Sequence, residues 1–454
     1  MDRVTDMTRG KPMGLIFFFS LPLMFGGMFQ QLYMIVDTII VGRGVGISAL
    51  ASLGAADWIN WLVLWGIHGF THGFSIPVAQ EFGAGNHTAL RKTVAMIIKL
   101  SVLFGLIITV GSLLLVDPML RLLGTEPAIL GGARVYLYVQ FSGTLVIIAY
   151  NMAAAILRCL GDSRTPLIAI ALATGINIGL DLLFVLVFHW GIFGAAIATV
   201  IAQVFSFLAC LVSLCRLSIL RLTREDFQND RQILKHLCRL GIPTALQNSS
   251  ISLGGLVLQS VLNSCGVLYV AGFTATNKLY GVLENTAIAF GYAMTAYMGQ
   301  NRGARQIDRI DAGMRSVLLL SVCFSAAISV FMVLFGRPIL TLFVSSSEQD
   351  ADAVLAIAHR YLMIMCAFLL ILFLVHAFRS SLQGLGNTTI PMLSGLVEMF
   401  MRAGAALILP IFFGRGGIFF AEIAAWSGAA ALMMLYYFLR IGSIKRAIAT
   451  GSQL

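Results

Sequence analysis

The sequence predicts an all-α integral membrane protein with twelve transmembrane helices in two six-helix bundles, related by a pseudo-two-fold axis along the membrane normal. Three observations predict it. The chain of 454 residues is 59% hydrophobic and 11% charged, with a mean hydropathy of +0.91. Long apolar runs recur along its whole length. Its two halves repeat a set of landmarks at a nearly constant offset.

Composition sets the solvent. Soluble domains carry about a quarter of their residues as charges. A chain with less than half that share cannot cover itself in water, so the bilayer is its partner. The net charge of +10 does not imply nucleic acid, because the basic residues sit in short loops between apolar runs and not beside aromatics on a polar domain. The seven cysteines (Cys159, Cys210, Cys215, Cys238, Cys265, Cys323 and Cys366) are odd in number and form no CxxC pair. They read as small packing residues, with neither a disulfide framework nor a zinc site.

The spans follow from length. A hydrocarbon core of roughly 30 Å takes roughly 20 apolar helical residues. That rule places spans at 14–41, 55–79, 94–116, 134–157, 165–188, 191–215, 240–262, 268–298, 316–336, 357–382, 389–413 and 416–440. The first run exceeds a signal-peptide core and no small-residue cleavage site follows it, so it reads as the first transmembrane helix. A barrel would show alternating segments of about ten residues instead.

Orientation follows from charge. With the N-terminus inside, 21 of the 30 Lys and Arg fall on the inner side. Six fall outside (Arg43, Arg121, Arg134, Arg337, Arg360 and Arg415) and Lys99, Lys278 and Arg402 fall within spans. This bias places both termini in the cytoplasm. Residues 216–239, the longest polar interruption, read as a cytoplasmic linker between an N-lobe (1–215) and a C-lobe (240–454).

The repeat sets the architecture. Ser20-Leu21-Pro22 matches Gly241-Ile242-Pro243 at an offset of 221. Gln80-Glu81-Phe82-Gly83-Ala84 matches Gln300-Asn301-Arg302-Gly303-Ala304 at 220. Leu160-Gly161-Asp162 to Pro166 matches Leu385-Gly386-Asn387 to Pro391 at 225. A duplicated unit of six spans keeps its orientation, which requires the axis along the normal. Such proteins commonly bind substrate between the halves.

Ionisable groups inside spans are costly, about 2.5–3.5 kcal/mol each on insertion scales, and are functional candidates by default. Helical spacing puts Gln30, Tyr33, Met34 and Asp37 on one face of the first span, as in a cavity wall. Asn177 and Asp181 share a face of the fifth span, and Thr199 lies one helix later. Two carboxylates, an amide and a hydroxyl supply hard oxygen atoms that suit a small hard cation or a shared proton. A polar network that only ties helices together would use the same residue types. The repeat offsets carry Asp37 onto Leu258, Asn177 onto Arg402 and Asp181 onto Ala406, so this acidic set belongs to the first half alone.

The second half holds other polar groups. Glu398 and Arg402, four apart, read as a structural ion pair. Asn248 and Gln259 form a polar stripe with Ser252 on the seventh span, and Lys278 and Glu284 lie on different faces of the eighth. His68 and His72 have zinc-like spacing but no third ligand, so no metal site is read there. Trp58, Trp61 and Trp65 open the second span as interfacial or cavity aromatics. Substrate-cavity candidates are therefore Gln30, Tyr33, Met34, Trp61, Asn248, Gln259, Lys278 and Glu284. No nucleophile–base pair, HExxH or GxGD motif supports an enzyme, and nothing resembles a channel filter loop.

With these residues in view, the chain resembles the MATE multidrug and toxin extrusion transporters over essentially its full length. The carrying stretches are Gln30–Asp37, Gly42-Arg43-Gly44, Gln80 to Gly85, Arg158-Cys159-Leu160-Gly161-Asp162-Ser163-Arg164-Thr165-Pro166, and Asn177 with Asp181. Gly299-Gln300-Asn301 and Gln383 to Asn387 echo them in the second half. The resemblance implies a central cavity with rocker-switch alternating access, and an N-lobe Na⁺ or H⁺ site at Asp37, Asn177, Asp181 and Thr199. The seventh-span acid of NorM-type members is absent from Gln247-Asn248-Ser249-Ser250-Ile251, so the chain looks more like the MepA- or DinF-like branches. The expectation is a monomeric antiporter of the bacterial cytoplasmic membrane. It would export small organic cations in exchange for Na⁺ or H⁺, with no other cofactor. A lipid-linked oligosaccharide flippase of the same superfamily is the alternative, disfavoured by twelve spans and the acidic first half.

Overall fold

The computed structural model describes residues 4–342 and 350–450, and all regular structure among them is helical. Fourteen α-helices follow in order: α1 (Pro12–Gly44), α2 (Ile47–Gly83), α3 (His87–Leu122), α4 (Pro127–Ser142), α5 (Thr144–Cys159), α6 (Arg164–Asp181), α7 (Gly191–Arg216), α8 (Arg231–Ser264), α9 (Val267–Gly303), α10 (Ile307–Leu340), α11 (Ala351–Ala367), α12 (Leu369–Gly384), α13 (Thr389–Phe413) and α14 (Ala421–Thr450).

Eight of these elements are each long and apolar enough to cross a bilayer. Two further helix pairs are long and apolar enough only when taken together, and each is bent: α4 and α5 meet at 49°, α11 and α12 at 50°. The runs 134–157 and 357–382 are therefore broken helices, not single ones. The breaks fall at Gly143 (φ −82°, ψ −3°) and Phe368 (φ −110°, ψ 10°), near the bridge region where helical hydrogen bonding is interrupted. The expected seventh and eighth spans exist as α8 and α9 but fall short of the apolar test, because Gln247, Asn248 and Gln259 interrupt one and Asn277, Lys278 and Glu284 the other. Among the described residues, eight to ten elements are thus long and apolar enough to span, against the twelve expected.

The chain forms two compact units. Unit 1 holds residues 4–6 and 21–245; unit 2 holds 7–20 and 246–450. Helices α1 and α8 each pass from one unit to the other, and the aligned prolines Pro22 and Pro243 sit inside them close to those passages. Within unit 1, α2 packs on α3, α4 and α5, and α7 on α5 and α6. Within unit 2, α9 packs on α10, α11 and α12, and α14 on α12 and α13. These neighbour relations of α2 and α7 in unit 1 have their counterparts in those of α9 and α14 in unit 2, whereas the packing of α4 on α7 has none as extensive.

Backbone detail repeats as well. After α2, Gly85 takes φ +69°; after α9 the equivalent Arg305 takes φ +56°. Asn86 N–H donates to Glu81 O at 3.1 Å, and Gln306 N–H to Asn301 O at 2.9 Å. A left-handed residue closes both helix ends; glycine adopts it freely, whereas arginine holds it at a cost.

The polar segment 216–239 is more ordered than a linker reading suggests. Helix α8 already begins at Arg231, and two short 3₁₀ turns precede it. Lys99, read as lying within a span, extends to donate to the Phe227 carbonyl and to Asn229 Oδ1, so its charge reaches polar backbone. Asp226 accepts from Thr223 N–H at 2.8 Å and from its hydroxyl at 2.9 Å, with Arg91 3.7 Å away. The Thr223 N–H foremost, then its hydroxyl and the Arg91 charge, hold this carboxyl below the usual carboxylate range.

Residues 7–20 join unit 2 through specific bonds. Met7 is fully buried; its N–H donates to Gln300 Oε1 at 2.8 Å. Its carbonyl accepts from Asn301 Nδ2 at 3.1 Å and Arg309 Nη2 at 2.9 Å.

In unit 1, α2 and α8 approach closely through backbone. Gly69 and Gly73, four apart on α2, lie against Gly241 and Thr244 of α8. A Cβ on Gly73 would stand 2.6 Å from Gly241 Cα and 2.8 Å from Leu240 O. Such small-xxx-small faces let membrane helices touch where lipid supplies no hydrophobic drive. Because backbone atoms cannot yield, Gly73→Ala is expected to destabilise by about 1–3 kcal/mol, read as a lower melting temperature of the detergent-purified protein. An unchanged melting temperature would show that the two helices separate at no cost.

Candidate functional site

Asp37, Asn177, Asp181 and Thr199 are brought together in unit 1. Asp37 stands on α1, Asn177 and Asp181 on the last turns of α6, and Thr199 on α7. All four are buried, with exposures of 8%, 1%, 0% and 9% respectively. Tyr33, one turn before Asp37, joins them: its hydroxyl lies 3.1 Å from Thr199 Oγ1. Thr199 in turn donates to Ala195 O at 3.2 Å, which leaves the Tyr33 hydroxyl as the donor to Thr199.

The cluster is short of hydrogen-bond donors. Asp37 Oδ1, both carboxylate oxygens of Asp181 and both polar side-chain atoms of Asn177 are buried without a hydrogen-bond partner. The Asp37 and Asp181 carboxyls face each other within hydrogen-bonding range, acceptor against acceptor. Burying unpaired charge is strongly unfavourable, and a proton or a small cation between the oxygens removes that cost. The donor set is all oxygen (carboxylate, amide and hydroxyl), which fits Na⁺ and fits a shared proton equally. The residues present therefore fit the coupling ion expected of them.

Local structure positions the set. α6 does not simply end at Asp181: a π-helical turn runs over Leu182–Val187, wider than an α-helix. Such turns are frequent at functional sites. Gly44, at the end of α1, lies against it, and a Cβ there would come within 2.6 Å of Leu186 Cδ2 and 3.0 Å of Val185 Cγ1. Thus the end of α1 closes on the segment that carries Asp181.

Sequence reasoning missed one acid. Asp57, exposed on α2, lies close enough to exert its charge on Asp37, Tyr33 and Tyr136. It has no helical acid partner at three or four residues' spacing, so only tertiary packing reveals it.

The substrate-cavity candidates are spread more widely. In unit 1, Gln30 and Met34 are exposed on α1, while Tyr33 and Asp37 turn inward, so the four-residue face is split. Trp61 is exposed and its ring lies 5.9 Å from that of Trp65. In unit 2, Asn248 and Gln259 are half-buried on α8, with Gln259 Nε2 donating to Asn263 Oδ1 at 2.9 Å. Lys278 is exposed and Glu284 half-buried beside Tyr280 on α9.

Glu398 and Arg402 form part of a larger network in unit 2. Arg402 Nη2 donates to Glu398 Oε1 at 3.1 Å and to Glu422 Oε2 at 2.8 Å. Its Nη1 donates to the Ile251 carbonyl at 3.0 Å. Arg379, counted above among the cytoplasmic loop charges, is instead buried on α12 and donates to Glu398 Oε2 at 2.7 Å. Pairing with Glu398 is what lets that arginine lie inside a helix packed in the unit.

Comparison with known proteins places this geometry. The family model described as MatE matches twice, over residues 22–183 and 243–408, so the two matches begin 221 residues apart, as the landmarks do. The chain is 32% identical over 357 residues to "Probable multidrug resistance protein YpnP" of Bacillus subtilis, covering 77% of this chain and 78% of that one. It is 24% identical over 439 residues to "Multidrug export protein MepA" of Staphylococcus aureus, covering 93% of each. Among solved structures it is similar to an outward-facing "multidrug resistance MATE family transporter of the MOP superfamily", with a TM-score of 0.89, 26% identity, and 97% and 98% of the two chains covered.

Proposed function

The chain belongs to the MatE family of multi-pass membrane transporters, which are not enzymes, and on that premise we propose that it is a Na⁺- or H⁺-coupled antiporter exporting small organic cations. The observation that carries the reading is the donor-poor acidic cluster of unit 1, where Asp37, Asn177 and Asp181 hold five buried polar atoms without a partner. The relatives named for multidrug resistance and export support export of drugs as the direction of transport.

The coupling follows from electrostatics. With its carboxylates ionised, the cluster attracts a cation. When a proton or Na⁺ enters, that attraction is cancelled and a bound organic cation loses its counter-charge. Two ligands that stabilise different states of one element exchange for each other. α1 is the element in question, since it carries both Tyr33 and Asp37 and abuts the π-helical turn at Gly44. In unit 1, side chains at Gln30, Tyr33, Met34 and Trp61 would contact the organic cation, with cation–π attraction from the rings; Asn248, Gln259, Lys278 and Glu284 are the polar candidates within unit 2. The protein would act as a monomer in the bacterial cytoplasmic membrane with both termini inside.

The test is ethidium efflux from cells lacking their major exporters, with the Na⁺ and proton gradients varied separately. Efflux above the empty-vector level that collapses with one gradient supports the reading and names the ion. Equal accumulation with and without the protein, at verified expression, contradicts it. Asp57→Asn is expected to weaken ion dependence only about two- to fivefold, because an exposed charge acts through screened water. A complete loss would place Asp57 among the ligands.

A further inference from the structure

A second charged site lies in unit 2. An open cleft of about 650 Å³ is bounded by Arg337 at the end of α10, by His359 and Arg360 on α11, and by Phe420 of the 3₁₀ turn Arg415–Phe420. Met363 and Ile364 complete an apolar wall. Arg337 and Arg360 are both exposed, and neither forms an ion pair among the described residues. The Arg360 guanidinium lies beside Gly416, in van der Waals range (3.7–3.8 Å) of where a Cβ would stand.

The charge is out of place by the sequence's own logic. Lys and Arg are depleted on the outer side, yet two of the six outer arginines border one cleft and a third, Arg415, opens the turn that bounds it. Carboxylates would neutralise such a group if structure alone were served, as Asp117 does for Arg134 at 2.6 Å. The lining of this cleft combines the basic side chains Arg337, His359 and Arg360 with the apolar Ala356, Met363, Ile364 and Phe420. Guanidinium binds phosphate with forked hydrogen bonds, and the apolar wall suits an acyl chain.

We infer that this cleft binds the phosphate of an anionic phospholipid, with Arg337 and Arg360 on the headgroup and Met363, Ile364 and Phe420 against the first part of an acyl chain. The inference stands apart from the coupling mechanism and would hold whatever the transporter exports.

The experiment uses the full chain purified in detergent and presented with phosphatidylglycerol, phosphatidylcholine or inorganic phosphate. Retention is read by native mass spectrometry and by thermal shift. The expected result is retention of phosphatidylglycerol by wild type, reduced about 10–30-fold in Arg337→Gln/Arg360→Gln. Arg43→Gln, an exposed outer arginine of unit 1, serves as the control and is expected to behave as wild type. Equal retention of the two lipids, or of phosphatidylglycerol by wild type and double variant, overturns the site. Inorganic phosphate that stabilises wild type as strongly as phosphatidylglycerol overturns the lipid as its occupant.

Discussion

Asp37→Asn is expected to reduce uphill export to the level of cells without the protein, while the purified variant melts at or above the wild-type temperature. The two halves of this expectation come from one observation. Asp37 and Asp181 face each other with no donor between them, and Asn177 beside them is unpartnered. An asparagine keeps the volume of the side chain and offers N–H donors to Asp181, so the fold loses nothing and a repulsive contact becomes a hydrogen bond. The ion, however, loses one of two charges that attract it. Coupling energies between two ligands of a transporter are typically about 1–3 kcal/mol, or 5–150-fold. Removing half the charge of the site is enough to abolish that. Asp181→Asn should behave the same way, and the double variant should be no worse than either, since the residues act as one site. Wild-type export by Asp37→Asn, in cells and at equal expression, would remove the cluster from the mechanism. A variant that fails to fold would show instead that the carboxylate is structural.

Arg402→Leu is expected to cost about 3–5 kcal/mol of stability and to abolish accumulation of folded protein in the membrane. Arg402 donates to Glu398 and Glu422 and to the Ile251 carbonyl, and is itself buried. Its loss leaves Glu422 without that partner and Glu398 with Arg379 alone. Breaking a buried pair strands a charge, whereas removing both partners is often close to neutral. Arg402→Leu combined with Glu422→Gln should therefore recover much of the lost melting temperature. Equal stability of Arg402→Leu and wild type would show that water reaches the network and that the pairs are screened. Transport by the rescued double variant then separates this clamp from the coupling site: the account expects ion-dependent export to survive.

Much of this architecture was legible in the sequence, and the remainder has identifiable reasons. Asp37, Asn177, Asp181 and Thr199 could be found because an ionisable or amide group in an apolar run is conspicuous, and because i, i+4 spacing reports a shared face without tertiary knowledge. The repeat was legible because turns need particular residues: Gly85 and Gly161 take positive φ, and Gly386 does so again in the second half. Arg305 shows the limit, since the same backbone there carries no glycine. Of the two broken spans, Gly143 offers a hint and Phe368 none. The π-helical turn over Leu182–Val187 is wholly apolar, so nothing in its residue types distinguishes it from helix. Asp57 and Arg379 were missed for a different reason. Their significance depends on which helix lies alongside, and Arg379 lies 19 residues from Glu398, beyond any helical periodicity.

The central claim is that one acidic cluster in unit 1 exchanges an inorganic cation for an organic one. It is tested most directly by titrating purified protein, loaded with a fluorescent organic cation, separately with Na⁺ and with acid, in wild type and in Asp37→Asn/Asp181→Asn. The account predicts that one of the two titrants displaces the dye from wild type and that neither displaces it from the variant beyond its weaker starting occupancy. Displacement with the same midpoint in both proteins would place the exchange elsewhere and contradict the account.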